Sequence, residues 1–267
     1  MDFDRNTMAR IHSIESLGTV DGPGLRFVLF MQGCCLKCKY CHNRDTWEQN
    51  TGTIVTADDI ASRVLRYKNF LIPSGGGITA SGGEPLLQVK FLITLFEKLK
   101  KEGIHTAIDT SGMFDITPDI EKLLSLTDLV LLDIKHIDPD KCKDLVGVSN
   151  EKELAFARYL SSHGIPIWIR QVIIPGITDD EEDLLKLKQF LSELKTVERI
   201  DLLPYHSLGK MKWKNLGLTY ELEDVPFATS NDVNRAKKIL GISWYSSPER
   251  VPKWLIIYFF HSLAVVA

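Results

Sequence analysis

The chain has 267 residues, of which 44% are apolar and 25% charged, with a formal net charge of −3. That is the composition of a soluble globular protein with ample core. It offers no basic field, so neither nucleic acid nor an anionic membrane is expected as a partner.

Residues 1–10 are polar and charged, unlike a signal peptide. Residues 25–31 (LRFVLFM) predict a strand that runs into a loop carrying Cys34, Cys38 and Cys41. Further strands are predicted at 78–81, ending in Gly82-Gly83-Glu84-Pro85, and at 105–109, ending in Asp109-Thr110-Ser111-Gly112. Others fall at 129–133, followed by Ile134-Lys135, at 167–174, containing Arg170, and at 200–203, ending in Pro204-Tyr205-His206. Apolar spacing of three and four predicts helices at 57–67, 87–102, 119–125, 151–163, 180–194 and 231–240. Thr117-Pro118-Asp119 and Thr178-Asp179-Asp180 supply start signals for two of them.

Six β-then-α units imply a parallel sheet with right-handed crossovers. The unusual polar groups fall at carboxyl ends of strands, where βα barrels place their active sites. The expected fold is α/β, a partial (β/α)6 barrel open on one side. It takes residues 1–240 as one domain and leaves 241–267 as an atypical apolar tail with the look of a frame or annotation error. The stretch 254–267 is apolar throughout, too short to span a bilayer and expected to pack.

Cys34-x3-Cys38-x2-Cys41 supplies three thiolates where a closed site wants four ligands. An iron–sulfur cluster with one open iron, a zinc site recruiting His42, and accidental clustering are all compatible with the spacing. Five cysteines with three crowded together do not read as a disulfide framework, and thiols that bind metal call for a reducing cytoplasm. Gly82-Gly83 lets backbone approach a ligand or simply makes a turn. Asp109 and Asp133 could ligate a hard cation or end in salt bridges. Lys135 lies on the same face as Asp133, as a ligand contact or its counter-ion. His206 is a ligand contact or a satisfied structural histidine. Arg170, inside an apolar strand, needs a carboxylate or an anionic ligand.

The cysteine motif, with Tyr40 before its last member, resembles the radical S-adenosylmethionine superfamily. The segments GTVDGPG (18–24), CHNRDTW (41–47), ASGGE (80–84), WIR (168–170) and LPYH (203–206) narrow the likeness to activating enzymes of glycyl-radical enzymes, of the pyruvate formate-lyase type. The resemblance runs from about residue 10 to 240. It implies that Cys34, Cys38 and Cys41 hold a 4Fe–4S cluster whose fourth iron is chelated by S-adenosylmethionine. Gly82, Gly83 and Glu84 match the motif for its amino group, and Lys135 and His206 match positions that hold it. Asp109, Thr110, Asp133 and the Leu131 carbonyl match positions around a monovalent cation. Arg170 matches a residue of the cleft, and Tyr40 and His42 would pack around cluster and adenine. Reductive cleavage would give a 5′-deoxyadenosyl radical that takes the Cα–H of a glycine in pyruvate formate-lyase, with flavodoxin or ferredoxin as electron donor.

The alternatives are an activating enzyme for another glycyl-radical enzyme and, from another class, a zinc-bound binding module. The cysteine-rich insert of many related activating enzymes is missing, because 43–81 holds no cysteine. Cys35 stands where such proteins usually have another residue, and is expected to be an inert neighbour.

Overall fold

A computed structural model describes residues 4–242. The tail expected at 241–267 lies outside them beyond Ile242.

The architecture follows from how side chains alternate on parallel strands buried on both faces. The strands are β1 (Met8–Gly18), β2 (Arg26–Met31), β3 (Thr53–Thr56), β4 (Gly77–Gly82), β5 (His105–Thr110), β6 (Leu129–Asp133), β7 (Ile167–Ile173) and β8 (Val197–Pro204). They form one sheet in the order β3-β1-β2-β4-β5-β6-β7-β8. From β2 to β8 every pairing is parallel, while β1 is antiparallel to both β2 and β3. The six-unit barrel is therefore present and open, with β3 and β8 as its unjoined edges.

On one face Phe27, Leu29, Ile78, Ala80, Ile108, Val130, Leu132, Ile167 and Ile169 enter the main core. That core is completed by the helices α1 (Ala57–Leu65), α3 (Val89–Lys101), α4 (Pro118–Leu124), α6 (Glu151–Ser162), α7 (Glu181–Glu193) and α9 (Ser230–Leu240). Phe91 and Phe96 of α3 are fully buried there, and truncating such a side chain costs about 3–5 kcal/mol. On the other face Ala107, Leu129, Leu131 and Trp168 form a small apolar floor. The next residues along those strands, Asp109, Asp133 and Arg170, share that inner face by the period of two.

Helix starts follow capping chemistry. Thr117 accepts from Ile120 N–H with Pro118 at the first position, and Asp180 accepts from Asp183 N–H. Thr178 caps nothing. Its hydroxyl donates to Val172 O and accepts from Ile174 N–H, locking the turn after β7. Short helices α2 (Lys68–Leu71), α5 (Pro139–Val146) and α8 (Lys210–Asn215) complete the α-helices of the described residues. Among these residues no helix is long and apolar enough to cross a membrane.

Candidate active site

The cysteine loop leaves the end of β2 and is laced down on two sides. Lys37 and Lys39 donate backbone N–H groups to Val146 O and Leu145 O at the end of α5. On the other side Gly33 and Cys34 donate to Thr46 O and Trp47 O. The sulfurs are supported by donors: Leu36 N–H for Cys34, Asn43 N–H for Cys41, and the Trp47 indole, 3.3 Å from Cys41 Sγ. Burial pushes the Cys34 thiol up to about 12 and holds Cys38 and Cys41 above the usual thiol range. Charge on these sulfurs is costly unless a cationic group compensates it.

Among the described residues no three His, Cys, Asp or Glu side chains gather around a single ion. A zinc would need four donors within about 2.3 Å of one point, whereas a cubane takes each thiolate on a separate iron. Three thiols on one loop, those of Cys34 and Cys41 hydrogen-bonded, therefore fit a cluster with one open iron better than a closed four-ligand zinc. Neither remaining cysteine adds a fourth donor to the loop: Cys35 is exposed, and Cys142 is buried in α5.

Gly82 and Gly83 end β4 pressed against this loop. A Cβ at Gly83 would lie 2.1 Å from Gly33 O, and Gly82 has φ +104 with its Cβ position 2.5 Å from Met31 N. Only glycine permits that approach. Gly83 N–H and Glu84 N–H donate to Met31 O and Gly33 O at 3.0 and 2.8 Å. The Glu84 carboxylate turns inward rather than toward a ligand. It accepts from Thr110 Oγ1 and Ser111 Oγ at 2.6 Å each, Ser111 N–H at 3.0 Å and Leu86 N–H at 3.1 Å. Burial still raises its pKa against those four donors. Its side chain thus ties the ends of β4 and β5 together, and any ligand contact at 84 falls to the backbone.

Thr110 likewise spends its hydroxyl on Glu84, on the face opposite Asp109. Asp109 Oδ2 accepts from Ser81 Oγ at 2.7 Å and Arg170 Nη1 at 3.0 Å. Arg170 also stands 3.6 Å from Asp21. Burial works against the guanidinium charge, and Asp109, Asp133 and Asp21 outweigh it, raising its pKa. Lys135 Nζ donates to Asp133 Oδ2 at 2.7 Å and lies 5.9 Å from the Tyr40 ring centre. Its charge too is opposed by burial and held by Asp133. Asp109, Asp133, Lys135 and Arg170 are thus brought together, with both acids already matched by cations. Leu131 contributes its side chain to the floor beneath them.

His42 and His206 lie ring against ring, tilted by 32° with centres 4.4 Å apart, and His42 Nε2 meets His206 O at 2.8 Å. Burial lowers the pKa of both rings. His206 Nδ1 and Arg170 Nε are buried without a hydrogen-bond partner. Orphaned polar atoms at the rim of a charged floor fit an incoming polar ligand.

Three contributors were not predicted as site residues. Asp21, in the glycine-rich 18–24 segment, reaches into the barrel, where burial and then Asp109 raise its pKa to about 6. An acid between glycines before a strand was the available signal. Trp213 of α8 donates its indole N–H to Cys41 O at 2.9 Å. Glu153, fully buried on α6, accepts from Lys135 N–H at 3.0 Å. Nothing local in the sequence marks either of these two.

Comparison with known proteins agrees with this geometry. The profile of the Radical SAM superfamily matches residues 28–187. The chain is 55% identical over 239 residues to the pyruvate formate-lyase-activating enzyme of Staphylococcus epidermidis, covering 87% of this chain and 95% of that protein. Its counterpart from Escherichia coli, a pyruvate formate-lyase 1-activating enzyme, is 48% identical over 236 residues, covering 88% and 96%. A crystallised domain of a pyruvate-formate lyase-activating enzyme from Bacteroides vulgatus aligns with TM-score 0.53 and 28% identity, over 62% of this chain and 94% of that one.

Proposed function

The chain belongs to the Radical SAM superfamily and, within it, to the pyruvate formate-lyase-activating enzymes, and from that membership we infer that it generates the glycyl radical of pyruvate formate-lyase. Its cofactors are a 4Fe–4S cluster and S-adenosylmethionine. Bound together, they supply one-electron cleavage of the sulfonium C–S bond to methionine and a 5′-deoxyadenosyl radical that abstracts hydrogen from a glycine. The observation that carries the proposal is the meeting of three covered thiols on one loop with a charged strand-end floor at one barrel mouth.

The roles of individual residues are part of this proposal. Cys34, Cys38 and Cys41 hold the cluster. The Gly82–Gly83–Glu84 backbone takes the ammonium group of S-adenosylmethionine, and Lys135 and Arg170 present positive charge to its carboxylate. His206 Nδ1 donates or accepts at the adenosine side, with Tyr40 and His42 packed beside it. A monovalent cation held by Asp109 and Asp133, with Leu131 and Thr110 carbonyls beside them, becomes favourable once Lys135 and Arg170 turn to that carboxylate. Such positioning keeps the reactive carbon in near-attack contact and limits side reactions. The electron donor is flavodoxin or ferredoxin, and a reducing cytoplasm keeps the thiols available.

The test is anaerobic reconstitution with iron and sulfide, then mixing with reductant, S-adenosylmethionine and pyruvate formate-lyase. A glycyl radical in the EPR spectrum is expected. 5′-Deoxyadenosine without that signal would redirect the activity to another glycyl-radical enzyme.

A further inference from the structure

The proposed reaction draws one electron per turnover from outside, yet the thiols are largely covered, so the electron must cross a defined piece of surface. Cys38 and Tyr40 turn toward Lys135 and the barrel. Cys41 turns the other way. Its sulfur accepts from the Trp47 indole at 3.3 Å, and its carbonyl from the Trp213 indole at 2.9 Å. The two indoles touch edge to face with centres 5.4 Å apart.

Cations cover this pair. The Arg44 guanidinium lies 4.0 Å from the Trp47 ring centre and Lys37 Nζ 4.5 Å from it. Lys214 is exposed beside Trp213 on α8. The other nearby lysines are matched by acids: Lys39 with Asp144 and Glu221, Lys210 with Glu223, and Lys212 with Asp45. Lys37, Arg44 and Lys214 make no carboxylate pair among the described residues. Leu208 and Met211, on either side of Gly209, are 62% and 60% exposed. Gly209 itself packs on His42, where a Cβ would meet the His42 Cα at 2.6 Å. The patch is thus continuous with the thiol loop and apolar at its edge, and its three unpaired cations outnumber the one unpaired acid beside the indoles, exposed Glu48, which suits an acidic protein partner.

We propose that Lys37, Arg44 and Lys214, flanked by Leu208 and Met211, form the docking surface for an acidic one-electron carrier protein, with Trp47 and Trp213 between its redox group and Cys41. The proposal rests on the function inferred above and names the partner surface of that same site. The carrier is assigned as a flavoprotein, because a flavin presented at its apolar ring edge matches exposed Leu208 and Met211 beside two indoles. The carrier loses one electron and the metal group on Cys41 gains it, with no bond or proton changed on this chain.

The experiment uses reconstituted holoprotein and its Lys37→Glu, Lys214→Glu double variant. Binding of oxidised flavodoxin is measured by calorimetry, and bleaching of cluster absorbance by flavodoxin hydroquinone is followed by stopped flow over a range of salt. Dithionite, which needs no docking, is the control reductant. The double variant should bind flavodoxin at least tenfold more weakly and be reduced by it at least tenfold more slowly at low salt. Its salt dependence should flatten, while dithionite bleaching and dithionite-driven cleavage of S-adenosylmethionine stay unchanged. Wild-type binding and salt dependence in the variant would overturn the surface. So would a loss confined to pyruvate formate-lyase binding, and a loss confined to ferredoxin would overturn the flavin assignment. Absence of bleaching by dithionite in the wild-type protein would instead overturn the cluster assignment on which the proposal stands.

Discussion

Arg170 Nη1 donates to Asp109 Oδ2 at 3.0 Å, joining β7 to β5 across the intervening strand β6. The same guanidinium faces Asp21 at 3.6 Å, so one cation holds two buried acids. Removing it strands both. Arg170→Ala is expected to destabilise the protein by about 3–5 kcal/mol and to weaken S-adenosylmethionine binding. Arg170→Lys should recover most of the stability but less of the binding, because a point charge cannot span both acids as a planar fork does. Denaturant unfolding and a binding isotherm on the same variants separate the two effects.

Glu84→Gln tests whether the glutamate is a frame or a contact. Each carboxylate oxygen accepts from one backbone N–H and one hydroxyl, so in either orientation an amide nitrogen would face a backbone N–H that cannot accept. A loss of about 1–3 kcal/mol in stability is expected, visible without any cofactor. Unchanged stability with lost cofactor binding would make the side chain a direct ligand contact.

Asp21 carries a pH signature. Its folded pKa is raised to about 6 by burial and then by Asp109, from an ordinary value of 3.8. The folded protein therefore binds the proton more tightly than the unfolded chain. The group's favourable contribution is complete below about pH 4 and is lost as pH rises to about 6, worth about 3 kcal/mol. Asp21→Asn should flatten the fall in stability across that window, as read by urea unfolding at pH 4, 5, 6 and 7. An unchanged slope would mean Asp21 is ionised throughout.

The cysteines separate by role. Cys38→Ala should lose iron, labile sulfide and S-adenosylmethionine cleavage together, while Cys35→Ala, altering an exposed thiol, should keep all three. Metal analysis of both variants after anaerobic reconstitution decides it. Equal iron in the two would remove Cys38 from the ligand set.

Asp133→Ala leaves Lys135 without its 2.7 Å partner. Weaker S-adenosylmethionine binding and the loss of stimulation by monovalent salt are expected. A binding curve unchanged in potassium and in its absence would reduce Asp133 to a counter-ion.

The parallel strands were legible because burial on both faces makes them continuous apolar runs, and the observed β6 coincides with the predicted 129–133. Strand β1 escaped because bulges between Ile11 and Ser13 and between Glu15 and Gly18 break its period of two. Strand β3 is only the four residues TIVT. Helix α5 did carry a start signal, Asp138 capping ahead of Pro139, and an apolar spacing of three and four at Cys142, Leu145 and Val146, but over eight residues that pattern spans little more than one turn. The ends of strands announced Asp109, Asp133, Lys135 and Arg170 as a group. The Lys135–Asp133 pair was one of the two readings open for Lys135, whereas the pairing of Arg170 with Asp109, 61 positions apart, was not readable. Glu84's inward turn depends on partners 26 and 27 positions away, and the motif alone does not reveal it.

The Trp213 bond to the Cys41 carbonyl spans 172 positions of chain, and that distance sets an order of events during synthesis. The thiol loop leaves the ribosome long before the segment that closes over it has been made. On this side the loop is therefore covered only after α8 has been made and has folded back onto it.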